Sequence, residues 1–327
     1  MRHYGSFLWL DPGEVAVQEY VTRVILDVAR RYDIDGVHLD DYFYPYPEPL
    51  QPGVFREFPD EITWKRYQLA GGKLPRNEWR RENVNKLVQR LDREIHAQKP
   101  WLMFGISPFG IWRPGFPSQI KGLDAYDSIY ADARRWLINN WVDYMTPQLY
   151  WPSNQREQSY PVLYDWWSRQ SEKGIPIWPG GDDTKAGNAW PIEERIHQIE
   201  ITRKSAHPGV VHWHLGALAN NAELRNRLVA VYSEPALVPG VRNGPVAQPL
   251  LSAAKQANGK HLARWSTQAN QQLSFWVVQI RKGDRWSTEI LSPGILSREM
   301  KPGETIAVSA MNRFRVLSTP ALFRAPL

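Results

Sequence analysis

The sequence predicts an α/β fold, a partial (β/α)8 barrel of the TIM type, followed by a small all-β sandwich. Three observations lead to this prediction. Strand and helix patterns alternate through residues 1–232, which is typical of parallel strands joined by helical crossovers. Residues 233–245 are rich in Pro and Gly and are predicted to form a linker. Residues 246–327 contain only short alternating runs without a helical period, which indicates a β-sandwich.

The helices of the first domain are predicted from the spacing of apolar residues. Val17, Val21, Val24 and Val28 share one helical face, and Asp11 lies where this helix is expected to start. The same reasoning predicts helices at 84–95, 131–141, 160–174, 192–199 and 221–232. Between them, short apolar runs predict parallel strands at 37–42, 101–107, 142–151, 175–181 and 209–218.

The number of strands falls short of a closed barrel. A (β/α)8 barrel needs eight parallel strands, whereas the pattern gives five, with residues 5–10 as a possible sixth. We therefore expect either an open sheet or a barrel whose first part is not in this chain. The strands that are present end in polar or aromatic residues, and that end of such a barrel is where chemistry takes place.

Composition narrows the function classes. The formal net charge is +6, but Lys and Arg form no dense run, so nucleic-acid binding is not predicted. No apolar run is long enough for a membrane span, and the absence of Cys excludes disulfides and thiolate metal sites. The sixteen tryptophans are unusual. Indole rings fill cores, and they also stack on the apolar face of sugars, so the surplus suits a glycan-binding cleft.

Asp40 and Asp41 stand side by side at the end of the predicted strand 37–42. His38, Asp40 and Tyr42 share one face of this strand because side chains alternate. The apolar residues of the strand should face the helices, so Asp40 is expected to point into the barrel at its rim. Burying an unpaired carboxylate is costly, and Asp40 is therefore predicted to be catalytic. Asp41 is predicted either to assist it or to cap the following loop.

Glycoside hydrolysis normally uses two carboxyl groups. Adjacent strand residues point apart, so the second group is sought on another rim loop. The candidates are Glu48, Asp127, Asp132, Asp182 and Asp183, and the sequence does not choose among them. A strand outside this chain is a further possible source.

The substrate-binding candidates are polar and aromatic residues near the predicted strand ends. They are His38, Tyr42, Tyr44, Ser107, Trp112, Gln148, Tyr150 and Trp151. Gln148 both donates and accepts hydrogen bonds, which suits sugar hydroxyls. Each aromatic residue has an alternative role in packing the loop or the core.

Two other functions stay open from the residues alone. A glycan-binding module without turnover would use the same Trp-rich walls, and only a second well-placed carboxylate separates it from an enzyme. A metal-dependent hydrolase would need His38, His212 and His214 to converge on an ion. The H-x-H spacing of His212 and His214 is weak support for it, and no cofactor is predicted.

Four stretches resemble one family. They are "LDPG" (10–13), "RRYDIDGVHLDDYFYPYP" (30–47), "SPFGIW" (107–112) and "DYMTPQLYW" (143–151). In these motifs the chain resembles glycosyl hydrolase-like family 10, whose aspartate pair falls on Asp40 and Asp41.

This resemblance implies a (β/α)8 glycosidase of the bacterial cell envelope, periplasmic or extracellular, that cleaves peptidoglycan glycan strands and prefers strands stripped of stem peptides. It also implies that the chain holds about strands 4–8 of the family's barrel, because that barrel begins well before the "LDPG" motif. The C-terminal β domain resembles a fibronectin type III-like module.

Overall fold

The computed structural model describes residues 1–240, 245–267 and 272–326. The chain divides into two compact units, Met1–Leu228 and Val229–Leu327. Residues 241–244 of the predicted linker, together with 268–271 and 327 of the predicted sandwich, lie outside the described residues.

The first unit opens with an antiparallel hairpin of β1 (Arg2–Tyr4) and β2 (Phe7–Trp9), followed by the helix α1 (Val15–Arg31). Gly5 adopts a positive φ of 55° in the two-residue turn, a conformation that glycine takes without steric cost. Residues 5–10 therefore do not add a sixth strand to the parallel sheet. Their partner is the preceding strand of the same hairpin.

The next segment runs from the first parallel strand to the second. It contains β3 (Gly36–Leu39), the small hairpin of β4 (Pro49–Gln51) and β5 (Val54–Phe55), the helices α2 (Glu61–Leu69) and α3 (Arg76–Gln98), and β6 (Met103–Ile106). The helix α3 is longer than predicted because its first turns are polar. Arg80 and Arg81 are buried there in ion pairs, so apolar spacing does not reveal them.

The remaining elements of this unit alternate as predicted. They are α4 (Ala125–Ser128), α5 (Ala133–Ile138), β7 (Tyr144–Met145), a 3₁₀ turn (Arg156–Gln158), α6 (Tyr160–Gln170), β8 (Gly180–Asp182), α7 (Ile192–Arg203), β9 (Val211–Trp213), α8 (Leu215–Asn220) and α9 (Ala222–Val231). The strand predicted at 142–151 is only two residues long. Pro147 interrupts it because proline has no N–H to donate to a neighbouring strand.

The parallel strands follow one another in chain order. β3, β6 and β7 form one ladder and β8 and β9 another, and the bridges Met145–Ile177 and Gln148–Gly180 join β7 to the β8 segment. Helices lie between successive strands, as the alternation predicted. Within the described residues β3 and β9 do not pair with each other, so the sheet is open and a closed barrel is not seen.

A large apolar core packs the helices against this sheet. Trp136 and Trp167 are fully buried in it, together with Phe104 on β6 and Leu91 on α3. Part of the tryptophan surplus is therefore structural. None of the helices in the described ranges combines the length and apolarity needed to cross a bilayer.

The second unit has the predicted all-β character. Its strands are β10 (Leu250–Lys255), β11 (His261–Ser266), β12 (Leu273–Lys282), β13 (Arg285–Leu291), β14 (Ser297–Met300), β15 (Thr305–Asn312) and β16 (Ala321–Arg324). They form antiparallel sheets of order β10-β11-β14 and β13-β12-β15-β16. Trp265 from the first sheet and Trp276 from the second share one buried core.

Candidate active site

The parallel sheet of the first unit has two chemically different faces. Gly105 pairs with both His38 and Tyr144, and a Cβ atom on Gly105 would lie 2.1 Å from the Tyr144 ring. His38 and Tyr144 therefore share a face, and their rings stack with centroids 5.7 Å apart. A Cβ atom on Gly180 would lie 3.4 Å from Tyr150, which places Tyr150 on the same side. We call this side the tyrosine face.

The opposite side, which we call the helix face, is sealed by α7. A Cβ atom on Gly181 would lie 2.2 Å from the guanidinium of Arg195, so the close approach of this side chain requires glycine. Asp183 also points to this side, and its Oδ1 accepts a hydrogen bond from Arg195 Nε at 2.8 Å. Both residues are fully buried, and His212 Nδ1 lies 2.8 Å from Asp183 Oδ2.

Asp40 lies directly after β3, at the C-terminal edge of the sheet, and is exposed. Its Oδ1 accepts hydrogen bonds from Gln148 Nε2 at 2.8 Å and from the backbone N of Asp41 at 2.9 Å. Gln148 Nε2 also donates to the carbonyl of Ser107, at 3.2 Å. The structure thus brings together Asp40 and Gln148, which are more than a hundred positions apart in the chain.

Asp41 is almost completely buried, with 2% of its surface exposed. Tyr46 donates its hydroxyl proton to Asp41 Oδ2 in a short hydrogen bond. Burial raises the pKa of Asp41 to about 6, the hydrogen bond from Tyr46 opposes this shift, and the neighbouring Asp40 adds to it through its charge and a side-chain hydrogen bond. Among the described residues neither aspartate forms an ion pair with a cation. The pair can therefore hold a proton in mildly acidic solution.

An aromatic groove of about 520 Å³ lies beside this pair. It is lined by Tyr4, Ser6, Phe7, Trp9, Tyr42, Pro45, Tyr46 and Glu48. Tyr42 is 64% exposed, and its ring centroid lies 6.4 Å from that of Trp9. Tyr42 was predicted from the sequence, but Phe7 and Trp9 were not, because the hairpin that brings them to the loop after β3 has no polar signal.

Tyr44 does not reach the site, which corrects its prediction as a substrate-binding residue. Its ring is fully buried and makes edge-to-face contacts with Phe58 and Tyr130. Tyr44 was predicted because it is an aromatic residue close to a predicted strand end. The segment around Phe58, which is distant in sequence, instead covers Tyr44.

Trp112 and Trp151 both pack against other aromatic rings. Trp112 stacks on Trp166 of α6 at 5.8 Å and donates its indole N–H to Asp132. Trp151 packs edge-to-face against Phe109. Both rings therefore serve packing, which was the alternative role weighed for them.

Ser107 is buried, and its hydroxyl donates to the carbonyl of Thr146 at 3.0 Å. It holds two strand ends together at the edge of the sheet. His38 and Tyr150 do lie on the tyrosine face with Gln148, and the His38 ring contacts the Tyr144 hydroxyl at 3.0 Å.

The five candidates for the second catalytic carboxylate have different surroundings in the structure. Asp127 pairs with Arg81 on α3, and Glu48 pairs with Arg56. Asp132 caps α5 by accepting from the backbone N of Arg135. Each of these three carboxylates is engaged in a local contact, and Glu48 also lines the aromatic groove.

The other two candidates are neighbours on β8 and its end, but they point to opposite sides. Asp183 lies on the helix face with Arg195. Asp182 is two residues from Gly180 and therefore points to the tyrosine face. It accepts hydrogen bonds from the backbone N and hydroxyl of Thr184.

The three histidines required by the metal-dependent alternative do not converge. His38 is on the tyrosine face, His212 contacts Asp183 on the helix face, and His214 accepts a hydrogen bond from Gly216 N at the start of α8. In the described ranges no group of three or more metal-binding side chains is found.

Comparison with known proteins gives consistent matches. The family model described as glycosyl hydrolase-like 10 matches residues 2–194. Glycosyl hydrolase YngK of Bacillus subtilis is 33% identical over 307 residues, which cover 87% of this chain and 59% of YngK. Glycosyl hydrolase DigH of Escherichia coli K12 is 33% identical over 211 residues, covering 61% of this chain and 46% of DigH. The chain thus spans about half the length of these relatives.

Two solved structures show weaker similarity. The glycoside hydrolase domain of PgaB (BpsB) from Bordetella bronchiseptica has a TM-score of 0.47 and 12% identity, covering 69% of this chain and 66% of that domain. Chitinase ChiW from a Paenibacillus species has a TM-score of 0.42 and 12% identity, covering 96% of this chain and 44% of ChiW.

Proposed function

The chain belongs to the glycosyl hydrolase-like 10 family, and from this premise we propose that it hydrolyses glycosidic bonds in bacterial peptidoglycan, with Asp40 and Asp41 as its acid centre. The observation that carries the proposal is the aspartate pair at the C-terminal edge of a parallel sheet. There Asp40 is exposed and the buried Asp41 has a pKa raised to about 6. Such an edge is where α/β enzymes place their catalytic groups.

In the proposed mechanism the two aspartates act as one unit. Asp41 holds a proton, because burial raises its pKa to about 6, and passes it to the neighbouring carboxyl group of Asp40. Asp40, the exposed member, gives the proton to the glycosidic oxygen as the bond to the anomeric carbon breaks. Gln148 fixes the Asp40 carboxylate by a hydrogen bond to Oδ1, which leaves Oδ2 for the substrate.

The sheet is proposed to be part of a (β/α)8 barrel. Its strands are parallel, adjacent in chain order and separated by helices, which is the arrangement within such a barrel. The sandwich of the second unit is proposed to be a fibronectin type III-like module, on the basis of its seven described strands in two antiparallel sheets.

Peptidoglycan is proposed as the substrate on the basis of the family motifs and the charge of the chain. The lactyl carboxylates of muramic acid suit a protein with a net charge of +6. The aromatic groove beside Asp41, with Trp9 and Tyr42, offers stacking surfaces for sugar rings. A peptidoglycan substrate would place the protein in the cell envelope, periplasmic or extracellular.

The proposal is tested by the release of reducing ends from glycan strands stripped of stem peptides. We expect Asp40→Asn to lower the rate about a thousandfold because the proton donor is lost. Asp165→Asn is the matched control, since Asp165 is an exposed partner of Arg169 on α6. It should leave the rate unchanged.

Two outcomes would contradict the proposal. If Asp40→Asn keeps most of its rate, Asp40 is structural. If the wild-type chain binds the strands and releases no ends, the aromatic groove serves the alternative function, a glycan-binding module without turnover.

A further inference from the structure

The proposed acid centre lacks a carboxylate on the other side of the sugar. Glycosidases place their two carboxyl groups on either side of the scissile bond. Asp40 and Asp41 are consecutive residues at the end of one strand, so they cannot lie on opposite sides of a bound sugar. The group that assists the attack on the anomeric carbon must come from another strand.

Asp182 is the candidate that shares the tyrosine face with Asp40. A Cβ atom added to Gly180 would point toward Tyr150 and Thr146, whereas one added to Gly181 would point toward Arg195. Because side chains alternate along β8, Asp182 returns to the side of Tyr150. It also lies at the C-terminal end of its strand, as Asp40 does on β3.

Gln148 connects the two strand ends, because its side chain donates to Asp40 Oδ1 at 2.8 Å and its backbone pairs with Gly180, two residues before Asp182. Tyr150 lies on the same face, beside Gly180. Burial raises the pKa of its phenol, and the charges of Asp40 and Asp182 raise it further, in that order. Lys185 Nζ lies 3.3 Å from Asp182 Oδ2 and donates to the Tyr150 carbonyl at 2.8 Å, which joins the end of β8 to the segment after β7.

We propose that Asp182 is the second catalytic carboxylate, the base that activates the attacking water; this inference rests on the proposed function. The water oxygen bonds to the anomeric carbon while Asp182 takes a water proton. The glycosidic C–O bond breaks at the same time, and its electron pair stays on the leaving oxygen, which receives the proton of Asp40. No oxidant, reductant or metal enters this balance.

The position of the strands favours inversion at the anomeric carbon. β3 and β8 are three inter-strand steps apart in the sheet, and each step is about 4.8 Å. Carboxyl groups of a retaining enzyme are only about 5 Å apart, whereas inverting enzymes leave room for a water. Three steps amount to about 14 Å between the two strands, which is too wide for the spacing of about 5 Å in a retaining enzyme. Side chains that lean toward each other from the two strand ends would approach the spacing of roughly 6.5–9.5 Å in an inverting enzyme, so Asp182 is assigned as a base and not as a nucleophile.

Trp213 lies next to Asp182 on the tyrosine face of the sheet. It pairs in register with Asp182, so both side chains point to the tyrosine face, and the indole is 48% exposed. A sugar ring stacked on Trp213 would have its anomeric carbon beside Asp182. The sequence offered Trp213 only as part of an H-x-H pattern, which hid its role as a sugar platform.

The test compares Asp182→Asn and Asp182→Ala with wild type, Asp40→Asn and Asp165→Asn on the same stripped glycan strands. We expect both Asp182 variants to lose about a thousandfold in rate. Sodium azide should restore cleavage by Asp182→Ala, because azide attacks the anomeric carbon without a base. The new chain ends should then carry azide, which mass spectrometry detects.

The outcomes separate the inference from the proposed function. If the Asp182 variants stay within tenfold of wild type while Asp40→Asn is inactive, the inference is wrong and the function stands. If Asp182→Ala is inactive and azide restores nothing, Asp182 is structural and the inference is again wrong. If wild type itself releases no ends, the proposed function fails first. Asp182→Asn keeps an oxygen for Thr184, so it guards against a loss of folding in the alanine variant.

Discussion

Two pairs of consecutive aspartates end two strands of the same parallel sheet, and their surroundings differ. Asp40 and Asp41, after β3, have neutral partners in Gln148 and Tyr46. Asp182 and Asp183, on β8 and just after it, have cationic partners in Lys185 and Arg195. Burial raises the pKa of Asp41 to about 6, whereas Asp183 is held in a fully buried ion pair with Arg195. The first pair therefore suits proton donation, and the second suits a base and a structural anchor.

Asp183→Asn is expected to have the largest effect, a decrease in the free energy of unfolding. This change leaves the buried guanidinium of Arg195 without its counter-charge, and removing one partner of a buried pair costs about 3–5 kcal/mol. Urea unfolding should show this loss. Asp40→Asn, at an exposed position with neutral partners, should change the free energy of unfolding by less than about 1 kcal/mol.

This pair of variants can contradict the comparison in two ways. If Asp183→Asn unfolds at the same urea concentration as wild type, the stability of the fold does not depend on the ion pair between Asp183 and Arg195. If Asp183→Asn is as stable as wild type but has lost its hydrolysis, Asp183 belongs to the chemistry, and the division between the two sheet faces is wrong.

Tyr46→Phe is expected to have a smaller effect, a shift in the pH dependence of hydrolysis. The Tyr46 hydroxyl donates to Asp41 and favours its charged form, so removing it should raise the pKa of Asp41 above about 6. The protonated acid then persists to higher pH, and the alkaline fall in the rate should move upward by up to about one pH unit. A pH–rate profile measures this shift. A move toward lower pH would contradict the assigned role of the hydrogen bond.

The sequence was sufficient for the order of the parallel strands and of the main helices between them, and for the position of the aspartate pair at a strand end. It did not reveal the two hairpins of the first unit, and α8 occupies the end of the strand predicted at 209–218. Apolar periodicity located α1, and the alternation of strands and helices predicted the parallel sheet that the structure has. These signals are local, because they depend on which side of one element is buried. The position of Asp40 at the end of β3 follows from the same local pattern.

Contacts between distant segments limited the prediction of the site. Tyr44 looked like Tyr42 in the sequence, but Phe58 and Tyr130 cover it. The strand predicted at 175–181 left Asp182 outside, whereas β8 runs from Gly180 to Asp182. The side chain of Arg195 against Gly181 distinguishes the two faces, and no local pattern reveals that contact.

The central claim is that the proton held by Asp41 drives glycosidic cleavage through Asp40. It is tested most directly by the pH dependence of cleavage by wild type and by Asp41→Asn. The account predicts that the wild-type rate falls as pH rises through about 6, because the pKa of Asp41 is raised to that value and its proton is then lost. The variant should be slower by about a hundredfold at pH 5 and should lack this fall. A variant with the wild-type rate and the same alkaline limb would contradict the account.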